Sequence, residues 1–546
     1  MKRFIKLTGV FVLLLCLCTI ITGCSDSDSG SKPADKVKGI RLKYDGKAIT
    51  GNMLTVNLTK GALTFTADVQ ISNKDFTLES SDTDVATVAE KTVTVLKMGQ
   101  ADITATAAGD PGMTQTITLT VLANASAYPH SITNNFAEDS STGLIVQWHN
   151  NSDIPVQALQ IVPASSNFKN PRNVLAEGVL FQSSGTNGTF AARNIFRAEV
   201  TGLNPGTRYK YRMGTDERWS PEFEYLTSGG SNKNFSFTVV TDPQNDVFPT
   251  TSSSACMIAT MDAANAFDSG NRFFLNCGDL TERIGNTTTS TGRSEIVNYT
   301  NAANRFNNKT PIAATQGNHD AYPTGSATDI RWNEASIFNA FVTFPDNGRA
   351  VSATQSRSYY FYYNDVLFIM LNTIATIGTA EANWLKDVLE NDKNKAGGES
   401  KYKIAAMHIG AFGNHYYENG NVVNVRNAYG KIFTDYGVDI VFSGHDHTYG
   451  RSNPISLSTT TAIGSINFAG TPGGTVFSIA GATGPKFYES ENGAYLNNQF
   501  PVKHGQAYGS ANGYFVNVKV TGAKLSVTAK FSNGTELDAY EVTAKR

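Results

Sequence analysis

Five short apolar runs in this chain each lead into side chains that hold metal ions or move protons. Phe235 to Val240 leads to Asp242-Pro243-Gln244, Phe273 to Cys277 to Gly278-Asp279, and Pro311 to Thr315 to Gly317-Asn318-His319-Asp320. Ile404 to Met407 leads to His408, and Val438 to Phe442 to Gly444-His445-Asp446-His447. Carboxylate, amide and imidazole donors without a thiolate suit Zn, Fe or Mn. The set describes a metal centre.

Something must bring these residues together, because Asp242 and His447 are about two hundred positions apart. Continuous apolar runs of this length read as buried parallel strands. In open α/β sheets the loops at the carboxyl ends of the strands build the binding site. Helical text separates the runs, at Ser252 to Ala266, Ile296 to Phe306, Ala382 to Glu390 and Asn427 to Tyr436. Alternation of strand and helix predicts βαβ units. After Gly450 the text returns to strands, including Val476 to Ala480, Tyr514 to Val520 and Leu525 to Phe531.

Upstream the pattern changes to short segments alternating at period two, the mark of antiparallel sandwiches. Glu79 to Val88 (ESSDTDVATV), followed by Gly99 and Ala101-Asp102-Ile103-Thr104-Ala105, resembles a group 2 bacterial immunoglobulin-like domain, assigned to 37–123. The next segment carries the alternating Gly143 to Trp148 strand, with Trp148 in its core. It also carries a strand–turn–strand from Ala198 to Arg212 that places Tyr209 and Tyr211 on one face. This segment, 128–228, resembles the fibronectin-III-like N-terminal domain of purple acid phosphatases. Neighbouring His130 and His149 read as structural strand histidines.

Residues 233–546 then resemble the calcineurin-like metallophosphoesterase superfamily, and the preceding domain draws the likeness toward purple acid phosphatases. The implied architecture is multidomain: two all-β sandwiches, Ig-like and fibronectin-III-like, followed by an α/β sandwich of two β-sheets flanked by helices. The resemblance implies two divalent or mixed-valence transition metal ions (Zn, Fe or Mn). Asp279 would bridge them, Asp242 and His447 would bind the first, and Asn318, His408 and His445 the second. A hydroxide between the ions would attack phosphorus in line while His319 assists the leaving group. Asp320, its neighbour, would fix the His319 tautomer. Such a pair shares one carboxylate and neutralises attacking and phosphoryl oxygens together. Asn318, His319 and His415 are the expected substrate contacts, with Asn414, Tyr416 and Arg451 on the rim and His504 apart from the site. Two positions depart from the family pattern. Gln244 stands where His or Gly is common, and either ligates the first metal or supports its ligands. Glu282 stands where purple acid phosphatases carry a tyrosinate, which argues against a Tyr-ligated ferric site.

The bulk numbers set limits. At 546 residues two to four domains are expected. A net charge of −2 and the absence of a basic stripe predict no nucleic-acid partner. Lys2, Arg3 and Lys6 precede an apolar stretch from Val10 to Ile21, too short for a membrane span. The stretch ends in Ile21-Thr22-Gly23-Cys24, which resembles a bacterial lipobox. That implies a signal peptide over 1–23, acylation of Cys24, a tether over 24–36, and an exported lipoprotein on the outer membrane, at its periplasmic or surface face. Cys256 and Cys277 read as buried free thiols.

The functional expectation is a phosphomonoesterase of the acid-phosphatase type acting on a small phosphate ester. A phosphodiesterase or nucleotide hydrolase of the same superfamily is the alternative. A non-catalytic surface protein, contacting glycans or other surfaces through its Ig-like domain, is the reading from another class. Completeness of the ligand set favours catalysis. The loops Asn286 to Asn298 and Tyr322 to Trp332 are long enough to shape a substrate pocket.

Overall fold

The structure is a computed structural model. It describes residues 39–49, 53–57, 62–69, 74–97, 99–122, 128–152, 154–183, 190–215, 218–231, 233–244, 253–282, 291–321, 337–350, 356–374, 377–417, 419–458, 465–491 and 498–546. The expected signal peptide, Cys24, the tether and the 322–332 loop lie outside these.

The first unit is a sandwich of a five-stranded and a four-stranded sheet. Its strand Ala62–Val69 buries Leu63, Phe65 and Val69 and exposes Ala62, Thr64 and Thr66, the period-two pattern of a sheet with one wet face. Leu42, Phe65, Val93, Ile103 and Leu119 form its own core.

The second unit packs two four-stranded sheets around Trp148. The Trp148 indole stacks on Phe196 at 5.6 Å and donates its N–H to Gln157 Oε1 at 2.7 Å. Its strand, Leu144–Asn151, is buried on both faces rather than alternating. The outer face is covered by the α/β domain. There His149 Nε2 donates to the Ala340 carbonyl at 2.6 Å and Gln147 Nε2 to the same oxygen at 2.7 Å. The expected structural role of His149 is met at this interface. Phe136 carries the core across, stacking on Phe361 at 4.8 Å and meeting Phe273 edge-on at 5.1 Å.

The third unit is two mixed sheets face to face. The six-stranded sheet places Phe235–Val240, Asn271–Asn276 and Ile312–Ala314 parallel, extended by the antiparallel strands Tyr514–Val520, Lys524–Phe531 and Glu536–Thr543. The eight-stranded sheet holds Val366–Leu371, Tyr402–Met407, Ile440–Ser443 and Val476–Ala480 parallel at its centre. Phe237, Phe273 and Phe368 interlock between the sheets at 5.1–5.2 Å. Helices Ser253–Phe267 and Thr291–Asn307 bury Met257, Met261, Ala303 and Phe306 against the outer face of the first sheet. Helix Thr379–Asn394 covers the second sheet with Leu385, Val388 and Leu389. Its start is fixed by Glu381, whose side chain accepts the Gly378 N–H at 2.8 Å, satisfying one orphan donor of the first turn.

Two helical expectations are corrected. The segment expected as one helix over 427–436 is a continuous spiral from Gly420 with a π-turn at Arg426–Gly430. The widened turn accommodates buried Arg426, whose guanidinium reaches the Ala411 carbonyl at 3.2 Å. The helix expected from Ile296 begins earlier: residues 291–295, expected to be loop, are the first turn of Thr291–Asn307, and 286–290 lie outside the described residues. Cys256 and Cys277 are free, as expected; Cys277 is buried, but Cys256 only half so.

Candidate metal centre

The C-terminal ends of parallel strands from both sheets meet along one edge of the sandwich. From the six-stranded sheet come Asp242, Asp279 and Asn318; from the eight-stranded sheet come His408, His445 and His447. Strand ends deliver side chains outward only if the chain turns sharply. Asp242 (φ 47°), Gln244 (36°), Asp279 (52°), His445 (71°) and His447 (54°) all adopt the left-handed conformation. Non-glycine residues rarely sit there, and the strain clusters where the chemistry is. The motif glycines serve close approach. A Cβ on Gly317 would overlap the Asp279 backbone, and one on Gly444 would overlap Thr241 Oγ1.

The donor atoms converge. Asp242, Asp279 and His447, all buried, offer ligand atoms within 4.8 Å of one another. On the other side of Asp279, His408 Nε2 lies 3.3 Å from its Oδ2. Asn318 Oδ1 is 2.8 Å from both His408 Nε2 and His445 Nδ1. Asp279 is thus common to two donor groups. Gln244 donates its amide N–H to Asp279 Oδ2 at 3.1 Å.

The surroundings aim these atoms. His408 Nδ1 donates to the Cys277 carbonyl at 2.9 Å, and His447 Nδ1 donates to the Lys486 carbonyl, so each presents its Nε2 lone pair inward. Asp242 Oδ2 accepts from Thr241 Oγ1 at 2.7 Å and the His445 N–H at 2.9 Å. Its Oδ1 is left buried without a hydrogen bond, and so is Gln244 Oε1. Unpartnered buried acceptors among imidazole lone pairs fit a cation pair.

The electrostatics of the site differ from group to group: burial lowers His408, but the Asp279 and Asp242 charges outweigh it and raise it to about 9. Burial and then the Asp279 charge raise Asp242 to about 7, against the pull of His408. Burial opposes ionisation of Asp279, but His408, His319 and His445 outweigh it and hold the carboxyl below its usual range. Burial keeps His445 neutral, down to about 3, and His447 well below its ordinary value, which is the ligating form.

Beside the centre stands His319, half-buried, its N–H held by Asp279 Oδ1 at 2.8 Å. Its Nδ1 donates to the Glu282 carbonyl at 2.9 Å and lies 3.6 Å from the Glu282 carboxylate. The expectation that Asp320 holds the His319 tautomer is therefore corrected. Asp320 accepts the backbone N–H groups of Gly317, Leu280 and Thr281 at 2.9–3.2 Å, tying the Asp279 loop to the Asn318 loop. Glu282 has taken over the partner's role, being closer in space to the imidazole.

Asp446 is buried and accepts the N–H groups of Asn414, His415 and Tyr416, which sets the loop carrying all three beside His445 and His447. The Tyr416 ring lies 4.8 Å from His445. Arg451 is not at the rim; it pairs with Asp538 on the last strand. His504 bonds the Leu537 carbonyl, apart from the centre as expected.

Sequence reasoning missed Lys486 and Tyr488. Lys486 pairs with both Glu282 oxygens at 3.1–3.2 Å, and the Tyr488 ring lies 4.7 Å from His447. The signal was available, because both follow Val476–Ala480, another parallel strand ending at the same edge.

Residues 235–449 match the calcineurin-like phosphoesterase family. They form a calcineurin-like phosphoesterase domain, a metal-dependent hydrolase. Residues 129–227 match the purple acid phosphatase N-terminal domain and 43–119 the group 2 bacterial Ig-like domain. Among solved structures, the purple acid phosphatase PPD1 from yellow lupin (Lupinus luteus) seeds is similar at 14% identity. The match covers 92% of this chain and 96% of that one, with a TM-score of 0.60. PhoD is similar at 12% identity over 78% and 94%, with a TM-score of 0.52. At these identities the likeness concerns the fold. No curated protein sequence matches the chain. The matched span holds every candidate donor from Asp242 to His447, while Lys486, whose carbonyl positions His447, lies beyond it.

Proposed function

We propose that the chain is a phosphomonoesterase with a dinuclear centre. Asp242, His447 and Asp279 would hold one ion, and Asp279, Asn318, His408 and His445 the other, with Gln244 bracing the shared carboxylate. The observation that carries this reading is the position of the Asp279 carboxylate, within reach of donors on both sides. Two bound cations of the Zn, Mn or Fe type supply charge that draws electrons from the phosphoryl oxygens and acidifies water at neutral pH.

The chain's own groups do the rest. The Asp279 backbone turn and Asp320 hold the Asn318-His319 loop in register with the first strand loop. Glu282 fixes His319 Nδ1 as the donor side, so that in the imidazolium form the second proton sits on Nε2 and is passed to the departing alkoxide, leaving the neutral Nδ1–H tautomer. His415 and Tyr416, set by Asp446, wall the opening. The chain would act outside the cytoplasm, anchored to the outer membrane through lipid on Cys24.

Phosphate release from p-nitrophenyl phosphate, with and without a chelator, tests the reading. Chelator-sensitive release that disappears in Asp279→Asn supports it. Release unchanged by that substitution overturns it. A monoester, diester and nucleotide panel decides between the monoesterase and its relatives. Partition of Cys24→Ser into the soluble fraction, with the unaltered chain in membranes, tests the anchor.

A further inference from the structure

A cavity of about 20 Å³ lies at the seam between the second and third units. Thr133 and Asn134 reach it from the strand His130–Phe136, the edge strand of its sheet. A bulge between His130 and Thr133, with Ser131 at φ 49°, twists this edge, and two successive side chains come to border the same space. Helix Thr291–Asn307 packs on the edge and contributes Tyr299 and Asn307 to the wall, and the third unit also supplies Thr343.

Four polar atoms of these residues are spare. Thr133 Oγ1, Asn134 Oδ1, Asn307 Oδ1 and Thr343 Oγ1 are buried with no hydrogen-bond partner among the described residues. The Asn134 amide cannot turn round to relieve this. Its Nδ2 donates to the Asn307 carbonyl at 2.8 Å and to Tyr211 Oη at 2.7 Å. The carbonyl accepts only from an N–H, so the Oδ1 is left on the other side. Buried polar groups in folded proteins are nearly all bonded to protein or to ordered water.

Donors and acceptors here balance for a single water, which gives its two protons to the amide oxygens of Asn134 and Asn307 and accepts from the hydroxyls of Thr133 and Thr343. The volume agrees, since about 10–15 Å³ of such space is enough to admit one water. No charged side chain lines the cavity, which argues against a metal or other cation. The rest of the wall is apolar, Ile312 and Val342 included, and a wholly apolar cavity stays dry. The four spare atoms tip the balance to a wet one.

We propose that this cavity is a binding site for one ordered water shared by the second and third units. Through it Thr133 and Asn134 of one unit bond Asn307 and Thr343 of the other. Tyr299 connects the same place to the metal centre: its Oη accepts from Asn276 Nδ2 at 3.3 Å, and Asn276 Oδ1 accepts the Gly278 N–H at 3.0 Å, beside Asp279. The water completes the polar seam behind the turn that carries the shared carboxylate. Its binding does not depend on which phosphate ester the centre takes.

A crystal structure of the full-length chain, at a resolution that shows ordered water, tests the site directly. One solvent peak within hydrogen-bond distance of at least three of the four spare atoms is expected. An empty cavity, or Thr133 and Thr343 turned onto protein acceptors, overturns the site. Thr133→Val and Thr343→Val each keep the side chain's shape and remove its hydroxyl, and calorimetry then gives an independent reading. With water bound, each variant loses a hydrogen bond, and the transition of the joined units should fall by about 1–3 °C. In a dry cavity the same change removes an unpartnered hydroxyl, and the transition rises. A rise, or no shift, in either variant overturns the site as well.

Discussion

Lys486 and Glu282 form an ion pair at 3.1 Å in which both side chains are largely buried, beside His319 and one carbonyl away from His447. Glu282 stands three residues after the shared Asp279. An acid–ammonium pair thus occupies the neighbourhood where a purple acid phosphatase would carry a tyrosinate. Breaking a buried pair by removing one partner leaves the other charge uncompensated.

Lys486→Met should therefore free the Glu282 carboxylate and disturb the orientation of His319. Turnover of alkyl phosphates, which need a proton on the leaving oxygen, should fall by about 10–100-fold, as for loss of an outer-shell partner. Turnover of p-nitrophenyl phosphate, whose leaving group departs as an anion, should fall much less. Measuring kcat for both esters checks this, and an equal loss for both would show that the pair only holds the fold.

Asp279→Asn removes the carboxylate common to both donor groups. The bound-metal count, read by elemental analysis after gel filtration, should drop below two. kcat should fall by more than the roughly hundredfold typical of outer-shell changes.

His149 gives a pH dependence of stability rather than of chemistry. Burial against Phe341 and Ala340 pushes its pKa down to about 3. It is held neutral in the folded chain, while the unfolded chain protonates it near the ordinary value of about 6.5. Below that value the unfolded state binds more protons, so stability falls as pH drops from about 6.5 toward 3. The group contributes up to about 1.4 kcal/mol per pH unit. His149→Gln should flatten this slope in urea titrations at several pH values while lowering stability at pH 7.

The second and third units share one core through Phe136, Phe273 and Phe361, whereas the Ig-like core is separate. Calorimetry should show two transitions, and Phe136→Ala should shift only the larger one. Loss of a buried Phe side chain costs about 3–5 kcal/mol. A single transition moved as a whole would contradict independent folding of the Ig-like unit.

Much of the site was legible in the chain itself. Each candidate donor follows an apolar run, and the unbroken apolar character of those runs announces strands buried on both faces, so Asp242, Asp279, Asn318, His408, His445 and His447 could be assigned to strand ends without coordinates. The Trp148 sandwich and the Ig-like alternation were equally open to reading, because a sheet with one dry face writes its period into the text. Asp320 shows where such reasoning stops. Adjacency in sequence suggested that it orients His319, yet successive side chains on a tight turn diverge, and its carboxylate went to three backbone N–H groups instead.

What the sequence determined by itself is the list of donors and the order of the strands, because hydrophobic period and residue type are local properties. Which residues surround those donors was decided only by the tertiary structure. Lys486 meets Glu282 across 204 positions, and His149 meets Ala340 across 191. Tyr488 comes to lie beside His447 only because another parallel strand ends at the same edge. Such pairings depend on how two sheets stack and where their loops cross, and no short window of residues carries that information.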